Sequence, residues 1–120
     1  MKRLWIGFIV LLTVMMAGQS WAAGRVLYSA VKTSDALITT GPGYFYGITV
    51  TGDGTNAITV DVHNGTTTSG DKIAPTLNFP QSASTKTQTY SVDPPVYCAT
   101  GIYVNITTSG TLSYTVYYSR

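Results

Sequence analysis

The chain has 120 residues, of which 44% are apolar and only 10% are charged, and its formal net charge is +2. This length allows one small domain, and an ordinary soluble protein carries about 25% charged residues. The chemically reactive groups are few, because the sequence has five acidic residues, one His and one Cys. Most enzyme classes need several acid, base or metal-binding groups, so we predict no catalytic residue, no metal and no cofactor.

The N-terminus has the parts of a secretory signal peptide. Lys2 and Arg3 give it a positive start, residues 4–16 are mostly apolar, and the small residues Ser20 and Ala22 precede a predicted cleavage site after Ala22. The apolar run is shorter than the roughly 20 residues that a membrane-spanning helix needs. The sequence therefore predicts a bacterial signal peptide over 1–22, a single domain over 23–120, and a secreted, periplasmic or cell-surface location without stable membrane insertion after cleavage.

Residues 23–120 are balanced in charge. Their Lys and Arg residues are equal in number to their Asp residues, there is no Glu, and the basic residues are scattered. Nucleic-acid surfaces neutralise phosphates with clustered Lys and Arg. We therefore predict no nucleic-acid partner.

Apolar and polar residues alternate with a period of two through most of this domain, which is typical of β-strands with one buried side. In chain order, extended segments are predicted at 25–31, 36–39, 44–50, 57–63, 85–92, 101–107 and 111–118. Turn signals rich in Gly, Asn, Asp or Ser separate several of them. Seven or eight short strands at this spacing predict an all-β fold, an antiparallel β-sandwich of jelly-roll type.

The positions of the prolines refine this prediction. Pro75, Pro80, Pro94 and Pro95 indicate strand edges or crossings between sheets, because a proline nitrogen donates no hydrogen bond to a central ladder.

Asp61 and His63 are two residues apart on a predicted strand, so we expect both on its solvent-facing side. Two ligands are too few for a stable metal site, and a solvated surface pair is the favoured interpretation.

Tyrosine is the residue type that most strongly indicates a binding surface, because all nine Tyr lie in the predicted domain. Tyrosine offers a large contact area at a small entropic cost and is enriched at interfaces. The predicted interface residues are Tyr44, Tyr46, Tyr103, Tyr117 and Tyr118. A subunit contact, a sugar-stacking surface and plain strand propensity all remain open for the tyrosines. The spaced hydroxyls of Thr85, Thr87 and Thr89 resemble ice-binding or carbohydrate-binding surfaces, and ordinary strand propensity is the favoured interpretation.

Cys98 is the only thiol, so an internal disulfide is excluded. It follows Pro94, Pro95, Val96 and Tyr97 at the entry to a strand. A small buried hydrophobic residue is the favoured interpretation, and an intermolecular disulfide or a reactive thiol is the alternative.

Three stretches carry a resemblance to a known group of proteins. They are residues 47–65 (GITVTGDGTNAITVDVHNG), 69–73 (SGDKI) and 95–111 (PVYCATGIYVNITTSGT). Together they resemble a family of small phage and prophage proteins, over about residues 40–118. The resemblance implies a virion structural or decoration subunit built as a small β-sandwich, with no catalytic residues. An export signal departs from the cytoplasmic assembly of phage particles, so either the domain has been recruited to the cell exterior or only the fold is shared.

The residues and the resemblance together predict an exported, non-enzymatic structural protein. It would self-associate as a homo-oligomer or decorate a larger surface or virion-like assembly, because a small domain with a thin core gains stability from buried subunit contacts. Residues 25–39 could take part by adding a strand to a neighbour's sheet. The alternative is a secreted module that binds carbohydrate or a cell-surface ligand through Tyr and Thr on a strand face.

Overall fold

A computed structural model describes residues 25–84 and 86–120. The predicted leader, residues 1–22, lies outside the described residues. All regular secondary structure in the described part is β, in nine strands: β1 (Leu27–Tyr28), β2 (Ala36–Thr40), β3 (Gly43–Gly52), β4 (Ile58–Asn64), β5 (Asp71–Lys72), β6 (Leu77–Phe79), β7 (Thr87–Cys98), β8 (Gly101–Thr108) and β9 (Leu112–Ser119). Within these residues there is no helix with the length and apolar character needed to span a membrane.

The chain folds as one long hairpin wrapped around itself. Its strands pair from the outside inwards: β1 with β9, β2 with β8, β3 with β7, and β4 with both β5 and β6. The wrapping adds two more antiparallel pairings, β3 with β9 and β4 with β8. Sheet A has the order β1-β9-β3-β7, and sheet B has β2-β8-β4 with β5 and β6 beyond β4. This connectivity is a jelly roll, and the predicted antiparallel sandwich is confirmed.

The structure differs from the prediction in the number of strands and in the end of one strand. Nine strands are present instead of seven or eight, because the chain after β4 pairs with it twice, with Pro75 in the gap between β5 and β6. Strand β7 runs on through Pro94 and Pro95, beyond the predicted end at residue 92. It can do so because Pro94 and Pro95 lie in the unpaired stretch between the Gly47–Ser91 and Phe45–Val96 pairs of this edge strand, where the ladder requires no hydrogen bond from a proline nitrogen.

The core lies between the two sheets and follows the predicted alternation. Sheet A contributes residues of β3, β7 and β9, and sheet B contributes residues of β4, β6 and β8. The buried apolar residues are Phe45, Ile48, Val50, Ile58, Val60, Val62, Phe79, Cys98, Ile102, Val104, Leu112, Tyr114, Val116 and Tyr118. Burial raises the pKa of Tyr114, whose hydroxyl donates a hydrogen bond to the Ser34 carbonyl at 2.7 Å. Its polar end is therefore satisfied although its ring is buried.

A carboxylate ties two turns together at one end of the sandwich. Asp53 accepts hydrogen bonds from the backbone amides of Thr55 (2.8 Å) and Asn56 (2.9 Å) in its own turn. It also accepts one from the amide of Thr111 (3.0 Å), in the connection from β8 to β9. The hydrogen bonds from Asn56 and Thr55 hold the pKa of Asp53 well below its ordinary value. A side chain at Gly110 would overlap the Asp53 carboxylate, so this connection requires glycine.

Candidate interaction surface of sheet A

The outer face of sheet A is the surface most unlike that of an ordinary soluble protein. Along β9, the buried residues Leu112, Tyr114, Val116 and Tyr118 alternate with outward positions. The cross-strand register extends the same outward face over β1, β3 and β7. Its paired positions are Tyr28, Tyr44, Gly47, Thr49, Thr51, Thr87, Thr89, Ser91, Tyr97, Ser113, Thr115 and Tyr117. These positions, all within the described chain, carry no charged side chain. The exposed Asp93 of β7 lies in the unpaired stretch between Ser91 and Val96.

Each of the four strands contributes one exposed tyrosine to this face. Tyr28 of β1 pairs with Tyr117 of β9, and Tyr44 of β3 pairs with Tyr97 of β7. Tyr44 also pairs with Ser119, two residues along β9 from Tyr117, so the two tyrosine pairs are diagonal neighbours. We call Tyr28, Tyr117, Tyr44 and Tyr97 the tyrosine belt. The belt crosses the whole width of sheet A.

The belt is accessible, and part of it has fixed geometry. The exposed fractions are 76% for Tyr28, 43% for Tyr44, 55% for Tyr97 and 37% for Tyr117. The rings of Tyr44 and Tyr97 have centroids 5.3 Å apart at an interplanar angle of 55°, which is within the favourable range for tilted aromatic pairs. Three strand spacings separate β1 from β7, so the belt extends roughly 14 Å across the sheet.

Hydroxyl groups cover the rest of the face beside the belt. Thr49 pairs with both Thr89 and Thr115, and Thr51 pairs with both Thr87 and Ser113. The hydroxyls of Thr49 and Thr89 are 3.2 Å apart, and those of Thr51 and Thr87 are 3.0 Å apart, so each pair shares a hydrogen bond. Thr87 and Thr89 thus lie on one face as predicted, while Thr85 lies outside the described residues. The outer face of sheet A combines aromatic rings with neutral hydrogen-bonding groups.

The structure brings together two of the five predicted interface tyrosines and separates the other three. Tyr44 and Tyr117 are in the belt. Tyr118 is only 8% exposed, because the alternation of β9 turns it into the core, so the prediction of Tyr118 at an interface is wrong. Tyr46 is half-buried at an irregularity of β3. Tyr103 is half-buried and pairs with His63 in sheet B, away from the belt.

Two belt residues, Tyr28 and Tyr97, are not among the interface residues that the sequence predicts. Tyr28 belongs to the predicted strand 25–31, and its partner Tyr117 is visible only once β1 and β9 are paired. Tyr97 alternates with the inward residues Val96 and Cys98, a pattern hidden by the preceding prolines. The signal for both was strand alternation. What was missing was the pairing of distant segments.

Cys98 is fully buried in the core, where it pairs across the ladder with Gly43. Burial raises the pKa of its thiol, which disfavours the nucleophilic thiolate. The Cys98 side chain in this fold is a small hydrophobic filler, and a disulfide to another molecule would require the sheet to open.

Asp61 and His63 do not share one wet surface. Asp61 pairs with the Lys72 ammonium at 2.9 Å and accepts a hydrogen bond from Thr76. Partial burial raises the pKa of Asp61, but the hydrogen bonds from Thr76 and Lys72 and the Lys72 charge outweigh it and lower the pKa overall. His63 is buried, contrary to the expectation, and its Nδ1 lies 2.8 Å from the Gly70 carbonyl. This contact holds the loop after β4 against the sheet.

Within residues 25–84 and 86–120, no group of three or more His, Cys, Asp or Glu side chains is placed to hold a metal ion. Asp61 and His63 are engaged by Lys72 and by the loop carbonyl instead.

No protein-family profile matches the chain, and no curated protein matches it. The resemblance to small phage and prophage structural proteins therefore rests on the residues quoted for it.

Proposed function

We propose that this protein is an exported, non-enzymatic structural subunit that self-associates through the tyrosine belt of sheet A, alone or as part of a surface or virion-like assembly. The observation that carries the proposal is the outer face of sheet A, whose cross-strand paired positions carry no charged side chain and which has one exposed tyrosine from every strand. The family resemblance supports a structural role, and the signal peptide predicted over 1–22 favours its use outside the cell.

The physical support is the low free-energy cost of removing this face from water. Desolvating charged side chains at an interface is expensive, and the belt requires none of it. Tyrosine is enriched among the residues that dominate binding energy. Hydroxyls of Thr and Ser beside the belt can exchange hydrogen bonds with a second hydroxyl face, because each donates and accepts. A balanced charge on residues 23–120 also leaves little repulsion between copies.

The test compares the self-association of the wild type and two matched variants by sedimentation equilibrium. Tyr44→Ser with Tyr97→Ser removes half of the belt while keeping hydroxyls on the face. Loss of such aromatic anchors weakens association at least about tenfold. Tyr103→Ser on sheet B is the control, and it should leave association unchanged. A wild type that stays a monodisperse monomer at high micromolar concentration rules out self-assembly.

A second candidate function uses the same belt to bind neutral carbohydrate. The observation that favours it is the Tyr44 and Tyr97 ring pair beside the Thr49, Thr51, Thr87 and Thr89 hydroxyls, since aromatic rings and hydroxyls together suit sugar rings. A glycan array with the wild type and the Tyr44→Ser, Tyr97→Ser variant separates the two. Glycan binding that disappears in the variant, together with a monomeric wild type, would replace the structural role by this one.

A further inference from the structure

The segment between β1 and β2 crosses from one sheet to the other and leaves a gap beside sheet B. Lys32 bridges to Tyr114 of β9 in sheet A, and Ala36 then pairs with Val104 of β8 in sheet B. Strand β8 continues to Thr108, but β2 begins only at Ala36. No described strand therefore lies beside the last residues of β8 on that side.

The gap is an open crevice of about 390 Å³, within the size range of small-molecule sites. One wall is the crossing segment, and the other is the end of β8. We call it the β8 crevice, and its lining residues are Thr33, Ser34, Asp35, Ile106 and Thr108. None of them belongs to the tyrosine belt, so the crevice is a separate surface.

Hydrogen bonds to the sandwich fix the crossing segment. The Lys32 amide donates to the Tyr114 carbonyl and the Tyr114 amide donates to the Lys32 carbonyl, both at 2.9 Å. The buried Tyr114 hydroxyl donates to the Ser34 carbonyl at 2.7 Å. The Ile106 amide donates to Asp35 Oδ1, also at 2.7 Å. This wall is held in place before a ligand arrives, which lowers the entropic cost of binding.

The polar groups of the β8 crevice include both donors and acceptors. Asp35 Oδ1 is occupied by the Ile106 amide, whereas Asp35 Oδ2 accepts no hydrogen bond within the described chain. Backbone directions alternate along a strand, so the Ile106 carbonyl and the Thr108 amide point to the same side as the Ile106 amide. The hydroxyls of Thr33, Ser34 and Thr108 can each donate and accept. The half-buried Ile106 side chain adds an apolar contact.

We propose that the β8 crevice binds one neutral hexose unit of a glycan. Sugar hydroxyls donate to Asp35 Oδ2 and to the Ile106 carbonyl, and sugar oxygens accept from the Thr108 amide. The C–H face of the sugar ring lies on the Ile106 side chain. This inference does not depend on self-association, and it assigns a site outside the tyrosine belt.

The same groups disfavour other kinds of ligand. Asp35 is the only charged residue among the described lining residues, so an anion meets a like charge and no cation. A cation gains little from one exposed carboxylate. A peptide strand needs a longer open edge, because main-chain hydrogen bonds supply its affinity, and β8 offers unpaired backbone on this side only at Ile106 and Thr108.

Amide chemical shifts of the ¹⁵N-labelled full chain test the site during titration with methyl glucoside, methyl galactoside and methyl mannoside. At least one of these neutral hexosides should shift the Ile106 and Thr108 amides in a saturable way. The few contacts of an open site predict a Kd of about 1–10 mM. The titration therefore extends to about 100 mM sugar.

Two variants and a matched control locate the binding. Asp35→Asn keeps an oxygen for the Ile106 amide but replaces the free carboxylate oxygen, so it should weaken binding at least about tenfold. Thr33→Phe fills the crevice from an exposed wall residue and should abolish the shifts. Asp93→Asn makes the same chemical change at an exposed carboxylate of β7 and should leave binding unchanged. Thermal melts should show that all three variants stay folded.

The outcomes separate this inference from the proposed function. The absence of shifts at Ile106 and Thr108 with all three sugars overturns the crevice site, as does binding that Asp35→Asn and Thr33→Phe both leave intact. Shifts confined to the tyrosine belt, and lost in Tyr44→Ser with Tyr97→Ser, also overturn it and assign sugar binding to the belt. Sedimentation equilibrium reads self-association independently, so either proposal can fail while the other stands.

Discussion

Adjacent tyrosines in one strand have opposite environments. Tyr117 lies in the exposed belt and Tyr118 lies in the core, because successive side chains of β9 point to opposite faces. Both are interface candidates by residue type alone. At this scale, the residue type indicates what a side chain can do, and its position in the alternation decides whether a partner can reach it.

Asp53 is the residue whose pH dependence is most directly testable. Because its pKa is lowered in the folded state, the folded protein holds this proton less tightly than the unfolded chain does. Its stabilising contribution is fully present at neutral pH and is lost as the pH falls below about 4. Asp53→Ala should therefore lower the thermal unfolding midpoint at about pH 7, and the gap to the wild type should narrow at about pH 3.

Circular dichroism at the two pH values measures that gap. Asp71→Ala is the control, since Asp71 is an exposed carboxylate on β5. An Asp53→Ala deficit of equal size at both pH values would contradict the assigned role of the ionised carboxylate.

At the scale of elements, one bulge sets the phase of the longest paired strands. Phe45 pairs with Tyr118 and Gly47 with Tyr117, which leaves Tyr46 as the extra residue on β3. The bulge shifts the alternation, so Phe45 and Ile48 both face the core while Tyr44 and Thr49 face outward. The sequence predicts the strand at 44–50, but the change in alternation within it follows only from the cross-strand register.

Gly47 makes this bulge sterically feasible, because a Cβ atom there would overlap the Tyr90 carbonyl oxygen of β7. Gly47→Ala should reduce the free energy of unfolding by about 1–3 kcal/mol, as other small-to-large changes in packed sites do. Gly41→Asn is the control. Gly41 has open space around it and a φ of 77°, which Asn tolerates. Urea unfolding measures both variants, and equal losses would show that the close approach of β7 is not the cause.

At the scale of the whole molecule, the surface of sheet A predicts how association depends on salt. Among residues 27–119, the paired outward positions of this sheet carry no charge. Salt screens charged contacts but leaves apolar and hydroxyl contacts nearly unchanged. The association constant should therefore change by less than about twofold between about 0.05 and 0.5 M sodium chloride.

Sodium sulfate is the informative companion measurement, because it strengthens burial of apolar surface. Light scattering should show tighter association in sulfate than in chloride of equal ionic strength. A steep loss of association with sodium chloride would instead indicate that charged residues outside the belt carry the contact.

Strand identity followed from the sequence alone. Alternation with a period of two, turn residues and proline predicted an all-β sandwich and most of its core, because these signals depend on a few neighbouring residues. Val60, Val104 and Val116 lie in the core on that pattern. Charge balance and the scarcity of reactive groups are likewise properties of composition.

Only the tertiary structure decided which strands meet. The pairings of β1 with β9 and of β3 with β7 join segments far apart in the chain, and no local signal specifies the partner or the register. They bring Tyr28, Tyr117, Tyr44 and Tyr97 into one belt. The contact between His63 and the Gly70 carbonyl, which buries His63, is likewise a feature of the folded loop. The belt exists because cross-strand neighbours are set by long-range hydrogen bonding and core packing, which a linear pattern does not contain.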